Sequence, residues 1–387
     1  MDITQIPAWR ENCCGCAACV NVCPVGAIAM TLSDRDGFYY PHIDRDKCVN
    51  CGLCGQLCSR MADKKPQVWG PALSAAAKQA HIRASGSSGG LFYLFARKTL
   101  DRGGVVFGAA YDPESKSVHH RSTEEVPLER LLRSKYAQSR IGFAYQQVED
   151  FLKQDREVLF SGTPCQVRGL LEYLQQKKVS GRLTTLDFMC HGVPSPELFR
   201  QTLQCLENAE GSKITEVTFR EKTRGWRKQR TRVYFENGQV WERESLKTPY
   251  YYFFLHNDSL RDSCYGCEEY ASHRSDLTMA DYWLLPKEQD DDLGTSLLLV
   301  HTGQGQRLVE AVAEDARITP EEETFTGQQI YSHKGYNRRR KRVWSFVYRH
   351  GGTAALNNLY FPLVRCMDTA LRTVRRVGGA VKRRLMR

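Results

Sequence analysis

The residues best suited to chemistry in this sequence are its cysteines, most of which stand near its start. Nine of the fifteen cysteines fall within the first 60 residues. Eight of the nine form two runs in which gaps of two, two and three residues separate successive cysteines. The first run is Cys13, Cys16, Cys19 and Cys23, and the second is Cys48, Cys51, Cys54 and Cys58. Because short gaps let one turn of chain present three thiolates together, both runs predict metal binding.

This spacing resembles that of bacterial two-cluster ferredoxins, in which the last cysteine of each run binds the cluster of the other run. The expected ligands of one 4Fe-4S cluster are Cys13, Cys16, Cys19 and Cys58, and those of the second are Cys48, Cys51, Cys54 and Cys23. Cys14 could compete as a ligand, but Cys13 alone has the two-residue gap to Cys16. Two zinc sites are the alternative, because paired cysteines with this gap also bind zinc. The repetition of the whole run favours clusters, and therefore a chain that carries electrons.

Length and composition set the class of protein that carries these runs. The chain has 387 residues, of which 41% are hydrophobic and 26% charged, so two or three domains with buried cores are expected. It contains no run of about 18 apolar residues, and we expect no membrane-spanning helix. The first residues lack the basic and apolar regions of a secretory signal. Since cluster thiolates must stay reduced, we expect a cytoplasmic location.

The sequence that follows the two cysteine runs predicts helices alternating with strands. Helices are expected near 91–100, 146–154 and 166–174, and strands near 105–108, 158–160 and 183–189. This alternation predicts an α/β layer with mostly parallel strands. Asn237-Gly238, between two strand-like segments, predicts a hairpin and hence a small antiparallel insertion within 213–245. The fold class is therefore α+β or α/β, with a ferredoxin-like domain before an α/β domain.

A third pair of cysteines, Cys264 and Cys267, lies far from both runs. Cys165 and Cys190 each follow a predicted strand, where ligands gather at the carboxyl edge of an open sheet. These four thiols could converge on one further metal site. Ordinary buried cysteines are the alternative.

Two loops rich in small residues could hold an anionic group. The segment Ser85 to Gly90 contains only serine and glycine and leads into a helix, and Gly162-Thr163 precedes another helix. Backbone N–H groups at a helix N-terminus favour a phosphate, such as the pyrophosphate of a dinucleotide. Neither loop fits the spaced dinucleotide-binding fingerprint, so tight turns and helix caps are the alternative.

Several segments, in the same order, resemble the coenzyme F-420 hydrogenase/dehydrogenase beta-subunit family over about residues 80 to 330. They are 85–90, 134–136, 162–166, 190–195 and the Cys264/Cys267 pair, together with 219–226 and 281–283. The resemblance implies that the α/β domain is a flavin domain, with FAD beside a third 4Fe-4S cluster whose ligands would be Cys165, Cys190, Cys264 and Cys267. The flavin contacts that it implies are Ser87, Ser88, Gly89, Gly90, Lys135, Gly162, Thr163 and Gln166. No catalytic residue is assigned.

The function implied is an iron–sulfur flavoprotein oxidoreductase with three 4Fe-4S clusters and FAD. Electrons from a redox partner protein, either a ferredoxin or an oxidoreductase subunit, would pass through the clusters to FAD. A small-molecule acceptor, an F-420-like deazaflavin or another substrate, would receive them. The alternatives are a non-catalytic electron-transfer subunit of a larger complex and a membrane-peripheral accessory protein. The expected domains are 1–62 (ferredoxin), 63–80 (linker), 81–160 and 161–333 (the two parts of the family region) and 334–387 (tail).

The tail carries most of the positive charge. Residues 334–387 contain fifteen Lys and Arg and one acidic residue, Asp368, whereas the whole chain has a net charge of +11. Basic residues mixed with aromatic and apolar ones predict a helical segment that lies on an anionic membrane surface, on the inner face of the membrane. A basic docking or disordered tail is the alternative. No motif of a nucleic-acid-binding fold accompanies these charges, which argues against a nucleic-acid partner.

Overall fold

A computed structural model describes residues 1–58, 70–267, 272–321 and 338–367 of this chain. Its strands are β1 Ile28–Leu32, β2 Tyr39–Ile43, β3 Ala72–Ala77, β4 Val105–Asp112, β5 Ser117–Ser122, β6 Val158–Ser161, β7 Leu183–Phe188, β8 Ile214–Glu221, β9 Arg230–Phe235, β10 Val240–Glu244, β11 Leu277–Asp281, β12 Ser296–Val300 and β13 Ala316–Glu321. Its first helices are α1 Trp9–Asn12, α2 Ala18–Val22, α3 Leu53–Gln56, α4 Ala80–Ser85, α5 Leu91–Asp101, α6 Leu128–Leu131, α7 Ala144–Lys153 and α8 Pro164–Lys177. The later helices are α9 Pro196–Glu210, α10 Pro249–Leu255, α11 Asp262–Tyr265, α12 Gly303–Ala311 and the tail helix Arg338–Ala355.

The N-terminal part is ferredoxin-like. Strands β1 and β2 form an antiparallel pair, and the short helices α2 and α3 hold cysteines of the two runs. Buried isoleucines at its centre (Ile3, Ile6, Ile28 and Ile43) pack against several of those cysteines. The cysteines are therefore fixed by a small apolar core as well as by any metal that they bind.

The body is built on an eight-stranded sheet with the order β13-β3-β12-β11-β7-β6-β4-β5. Three neighbouring pairs are parallel (β4 with β6, β6 with β7, and β7 with β11), and the other four are antiparallel. The expectation of mostly parallel strands is therefore wrong. Parallel neighbours need a long crossover between them. Helix α7 lies in the crossover that leads into β6, and α8 forms the crossover from β6 to β7. Strands β5 and β12, in contrast, pair directly with the strand that precedes each of them in the chain.

The segment expected to be a linker contributes a strand to this sheet. Residues 72–77 form β3, which pairs with both β12 and β13, and Ala75 and Ala77 are fully buried. A run of alanines has low intrinsic preference for strands, so its burial between neighbours decides its conformation. Residues 63–69 lie outside the described part of the chain.

A separate three-stranded antiparallel sheet, β10-β9-β8, carries the predicted insertion. Its β9–β10 hairpin turns at Asn237-Gly238, where the amide of Phe235 donates to the carbonyl of Gln239 at 3.0 Å. Gly238 adopts a φ of 82°, a conformation that suits glycine in such a turn. The hairpin predicted from the sequence is confirmed.

The described part of the tail packs on the body. Trp344 is 1% exposed and joins a core made largely of aromatic side chains from β8, α9 and α10. Arg340 forms an ion pair with Asp258 at 2.8 Å. The helix bends at Gly352 and continues into a turn of π-helix at Leu356–Tyr360. No helix in the described ranges is both long and apolar enough to cross a membrane.

Candidate iron–sulfur and cofactor sites

The two cysteine runs exchange their last members in the structure. Cys13, Cys16, Cys19 and Cys58 line one cavity together with Cys14, and we call these four the inner set. A second cavity, of about 300 Å³, is lined by Cys23, Cys48, Cys51 and Cys54, which we call the outer set. Each set thus combines three cysteines of one run with the fourth of the other, as the ferredoxin spacing predicts. Their roles as ligands stay a prediction.

The thiols of the inner set lie close enough together for their charges to interact. Burial raises the pKa of Cys19 well above its ordinary value, and the thiols of Cys13 and Cys58 raise it further. Thiolates gathered in this way need positive charge between them, which a bound metal would supply.

The two sets differ in their access to solvent. In the outer set Cys51 is exposed, and its neighbour Val49 is 61% exposed. The inner set lies between the outer set and the body of the protein, where α2 packs against α8. The outer set is therefore the accessible end of the ferredoxin-like part.

Two glycines allow the inner set to approach the body closely. Gly15, between Cys14 and Cys16, has a φ of +72°, and a Cβ there would lie 2.5 Å from Nε2 of Gln138. Gly169 lies in α8, where a Cβ would lie 3.1 Å from the sulfur of Cys16. A side chain at Gly15 would also strain the backbone at its positive φ, and one at Gly169 would require its neighbours to shift by a few tenths of an ångström.

The four cysteines that the resemblance assigns to a third cluster lie near enough for their charges to interact. Cys165 lies in the first turn of α8, and Cys190 follows β7, whose parallel neighbour β6 ends at the same edge of the sheet. Burial raises the pKa of Cys190, and the nearby thiols of Cys264 and Cys267 raise it further. Cys267 also contributes to raising the pKa of Cys165. We call these four cysteines the third set.

Cys14 connects the inner set with the third set. The thiols of Cys16 and Cys165 both hydrogen-bond to Cys14, and these bonds are the largest cause of the raised pKa of each. Cys14 is buried, and its charge also acts on Cys264. The sequence marked Cys14 as a competing ligand. The structure places it at the contact between two sets.

The predicted flavin contacts gather around a cavity of about 410 Å³. Its lining includes Ser87, Ser88, Gly90, Lys135, Gly162, Thr163 and Gln166, and also Cys190 of the third set with its neighbour His191. Gly89 does not line this cavity. Its amide donates to Oγ of Ser296 at 3.0 Å, and its carbonyl accepts from the amide of Ala77 at 2.8 Å. The backbone of Gly89 therefore hydrogen-bonds to strands β12 and β3 of the sheet.

Lys135 is a lysine that lines this cavity. Its ammonium group donates to the carbonyls of Arg130 at 2.9 Å and Arg133 at 3.3 Å, and also to that of Leu132. Burial lowers the pKa of Lys135 to about 7. An anion bound beside it would favour the charged form and raise this pKa.

Thr163 and Gln166 link the edge of the cavity to the third set. They form a capping box at the start of α8, and Nε2 of Gln166 donates to Oγ of Ser139 at 3.0 Å. The hydroxyl of Thr163 lies 3.2 Å from the sulfur of Cys165. One helix N-terminus therefore serves both the cavity and a predicted cluster ligand.

An aromatic and cationic wall lies at the cavity, which its members Arg220 and Trp283 line. The rings of Trp226 and Trp283 stack with centroids 4.2 Å apart, and the guanidinium of Arg220 lies 5.3 Å from the ring of Trp283. Arg220 is buried and forms an ion pair with Asp281. The indole N–H of Trp226 donates to the carbonyl of Ser87 at 3.0 Å, which ties this wall to the glycine-rich loop. The sequence motifs contain these residues but give no sign that they meet.

Comparisons with known proteins find matches for both the ferredoxin-like part and the body of this chain. Residues 155–324 match the family model for the C terminus of the coenzyme F420 hydrogenase/dehydrogenase beta subunit, whereas residues 12–62 match a 4Fe-4S dicluster domain. The chain is 43% identical over 54 residues to an uncharacterized ferredoxin of Methanocaldococcus jannaschii, a match that covers 14% of this chain and 68% of that protein. It is 37% identical over 73 residues to an iron-sulfur subunit of CoB–CoM heterodisulfide reductase from the same organism, covering 15% of this chain but only 11% of that protein.

A solved structure shows a more distant likeness. It is a chain of the F420-reducing NiFe hydrogenase complex from Methanosarcina barkeri, with a TM-score of 0.47 and 17% sequence identity. The likeness covers 70% of this chain and 93% of that chain.

The cysteine sets and the dicluster domain define an iron–sulfur electron-transfer protein. Residues 155–324 therefore belong to the C-terminal part of the coenzyme F420 hydrogenase/dehydrogenase beta-subunit family, and the chain carries an N-terminal 4Fe-4S dicluster domain. The family resemblance seen in the sequence is confirmed, and the family is one of oxidoreductases.

Proposed function

We propose that this chain is an iron–sulfur flavoprotein oxidoreductase that works in a reducing compartment such as the cytoplasm. In this proposal the inner, outer and third sets each hold a 4Fe-4S cluster, and the large cavity holds FAD. The electrons come from a ferredoxin or another redox partner protein. The acceptor is an organic molecule, either an F420-like deazaflavin or another small substrate.

The observation that carries the proposal is a continuous series of contacts from the surface to the cavity. It begins at the outer set, where Cys51 is exposed, and continues through the inner set to Cys14, which touches both Cys16 and Cys165. It ends at Cys190, which belongs to the third set and also lines the cavity. A chain that used its clusters only for stability would not need them in this order.

The lining of the cavity supports FAD as its occupant. The N-terminus of α8 and the loop at 86–90 offer backbone N–H groups that suit a pyrophosphate, with Lys135 beside them. Trp283, Phe254 and Tyr251 offer the apolar faces that a flavin ring needs. When bound, FAD would accept single electrons and deliver them to an organic acceptor as a two-electron hydride.

The residues of the chain would bind and orient this group. Gln166 and Ser139 hold the start of α8 in place, and Trp226 fixes the carbonyl of Ser87. Arg220, paired with Asp281, places a buried cation at the wall where an acceptor would meet the flavin. The roles of Ser87, Ser88, Gly90, Gly162 and Thr163 as flavin contacts belong to this proposal.

The test is anaerobic purification with iron and flavin counted per chain. We expect about twelve irons and one FAD, since each of three clusters holds four irons. Cys165→Ser should leave about eight irons, and Cys205→Ser, which changes an exposed cysteine outside all three sets, should keep about twelve. About eight irons without flavin in the unaltered protein would contradict the enzyme assignment.

The tail favours a second role at an anionic membrane surface. The buried side of the tail helix packs on the body, but its outer side exposes Val343 and Phe346, and the segment after it exposes Leu359, Leu363 and Met367. Basic residues surround this apolar face, among them the exposed Arg342, Arg349 and Arg365. We call the surface formed by these five apolar residues the tail face. We propose that the tail face lies on a lipid bilayer that carries negative charge.

A further inference from the structure

Arg261 is a buried cation at the contact between the ferredoxin-like part and the body. Its side chain is 0% exposed, and it lies just before α11, which carries Cys264. Among the described residues, no carboxylate lies within 4.0 Å of its guanidinium. An arginine stays protonated under all ordinary conditions, so this buried charge needs an anionic partner.

The neighbours of Arg261 show which partner it has. Nε donates to the carbonyl of Cys13 at 2.5 Å, and Nη2 lies 3.4 Å from the sulfur of Cys13. Nη1 donates to Oε1 of Gln138 at 3.0 Å, and Nη2 to the carbonyl of Tyr39 at 2.9 Å. Its guanidinium also lies over the ring of Tyr40 at 4.3 Å. The carbonyl, amide and ring contacts are neutral, which leaves the thiolates as the negative partner.

Arg261 lies beside cysteines at both ends of the contact. Its guanidinium touches Cys13, in the inner set, and Arg261 stands three residues before Cys264, in the third set. In a loaded protein the same charge would face the cluster of the inner set.

The outer set has no equivalent among the described residues. Arg45 is the cation whose charge interacts with Cys48 and Cys54, but its side chain is 55% exposed and it pairs with Asp2 at 2.7 Å. Solvent and the carboxylate both reduce its effect on the sulfurs. The inner and outer sets have the same cysteine spacing, but only the inner set is touched by a buried cation that has no carboxylate partner among the described residues.

We propose that Arg261 raises the reduction potential of the inner cluster above that of the outer cluster, so that an electron entering at the surface settles next to the third set. The proposal rests on the proposed function, in which both sets hold 4Fe-4S clusters. Reduction adds one electron to the cluster and moves no atom. The added negative charge is stabilised by the guanidinium that touches Cys13. Arg261 is thus a positioning residue for the electron.

The experiment is an anaerobic redox titration of the full chain, followed by electron paramagnetic resonance. Cys51→Ser, which changes the exposed ligand of the outer set, identifies the signal of the outer cluster. In the unaltered protein the inner cluster should be reduced first. Arg261→Gln should lower the preference of an electron for the inner cluster about tenfold, which equals a shift of about 59 mV for a one-electron couple.

Two further variants separate charge from packing. Arg261→Lys keeps the charge and should shift the potential less than Arg261→Gln. Arg10 lies over the same Tyr40 ring at 4.1 Å, but Asp36 lies 3.6 Å from it, so Arg10→Gln should leave both potentials unchanged. A purely structural role for Arg261 would change iron content and leave the potential of each loaded cluster unchanged.

Each outcome decides the proposal. An outer cluster that is reduced first in the unaltered protein overturns it, whether or not the variants load iron. Loaded Arg261→Gln protein with an unshifted inner potential overturns it as well. Absence of both cluster signals in the unaltered protein would instead contradict the proposed function, so the two failures are distinguishable.

Discussion

The sulfur of Cys16 and the backbone of Gly169 are in close contact, such that a Cβ on Gly169 would lie 3.1 Å from that sulfur. Cys16 belongs to the ferredoxin-like part and Gly169 to the helix that begins with Cys165. The contact brings the inner set against the same helix that presents the third set. The spacing between the two sets therefore depends on a glycine one turn into α8.

Replacing this glycine should disturb the contact between the two parts. Gly169→Ala would place a Cβ 3.0 Å from the hydroxyl of Tyr145 as well as against Cys16, and we expect a destabilisation of about 1–3 kcal/mol from overpacking. Thermal unfolding measures it, with iron content determined in parallel. Gly303→Ala is the matched control, because its nearest neighbour is the end of the Arg307 side chain at 3.7 Å. Equal stability of the two variants would show that this contact tolerates a side chain.

Cys14 should prove to be a contact residue and not a ligand. Because four other cysteines complete the inner set, Cys14→Ser should retain about twelve irons per chain, whereas Cys16→Ser should lose about four. Iron analysis of anaerobically purified protein distinguishes the two variants. Loss of about four irons from Cys14→Ser would show that Cys14 replaces one of the expected ligands.

The pH dependence of flavin binding should follow Lys135. Its pKa is lowered by burial to about 7, and a bound pyrophosphate would raise that pKa. Binding therefore takes up a proton in this range, and the affinity for FAD should be greatest below about pH 7 and fall as the pH rises above it. Equilibrium binding of FAD to the flavin-free protein measures this profile.

The matched variants for that profile are Lys135→Met and Lys98→Met. Lys135→Met should weaken binding about tenfold at pH 6 and remove the fall above pH 7, since one charge-assisted contact is lost. Lys98 pairs with Asp315 at 2.9 Å and does not line the cavity, so its replacement should leave the profile intact. A profile that is the same in all three proteins would place the pyrophosphate elsewhere.

The tail face should bind anionic vesicles through residues that do not stabilise the fold. Phe346 is 60% and Leu363 58% exposed, and replacing both by serine should lower binding to phosphatidylglycerol vesicles about tenfold with little change in thermal stability. Sedimentation with vesicles measures the binding, and vesicles of phosphatidylcholine alone should bind poorly. Leu246→Ser, which changes a leucine outside the tail that is 47% exposed, is the control. Equal binding to both kinds of vesicle would contradict an electrostatic contribution.

The opposite side of the same helix should behave as a core. Trp344 is 1% exposed and lies 5.3 Å, ring to ring, from Tyr348. Trp344→Ala should destabilise the protein by about 3–5 kcal/mol, measured by unfolding in denaturant. A loss below about 1 kcal/mol would show that the tail helix does not contribute to the core, since burial of a tryptophan is worth several times that amount.

The inner and outer sets could be predicted from the sequence because ligand spacing is a local property. The crossed grouping of Cys23 and Cys58 follows from that spacing, and the structure brings the same residues together. The hairpin at Asn237-Gly238 is local in the same sense, since two residues define its turn.

Features that depend on distant contacts could not be predicted in this way. Arg261 meets Cys13 across 248 positions of sequence, and nothing around Arg261 indicates that partner. Strand β3 has the composition of a linker, and only its pairing with β12 and β13 makes it a strand. Strands β5 and β12 run antiparallel to the strands before them because short connections return the chain directly. A pattern of alternating helices and strands does not contain this information.

The central claim is that the third set joins the ferredoxin-like part to the flavin cavity. The most direct test is stopped-flow reduction of bound flavin by a reduced ferredoxin, compared between the unaltered protein and Cys165→Ser. Cys205→Ser serves as the control, and iron and flavin contents are measured for each protein. We predict that Cys165→Ser keeps its flavin and about eight irons but that its flavin is reduced at least about tenfold more slowly. Flavin reduction at the unaltered rate in a protein that has lost the third cluster would contradict the account.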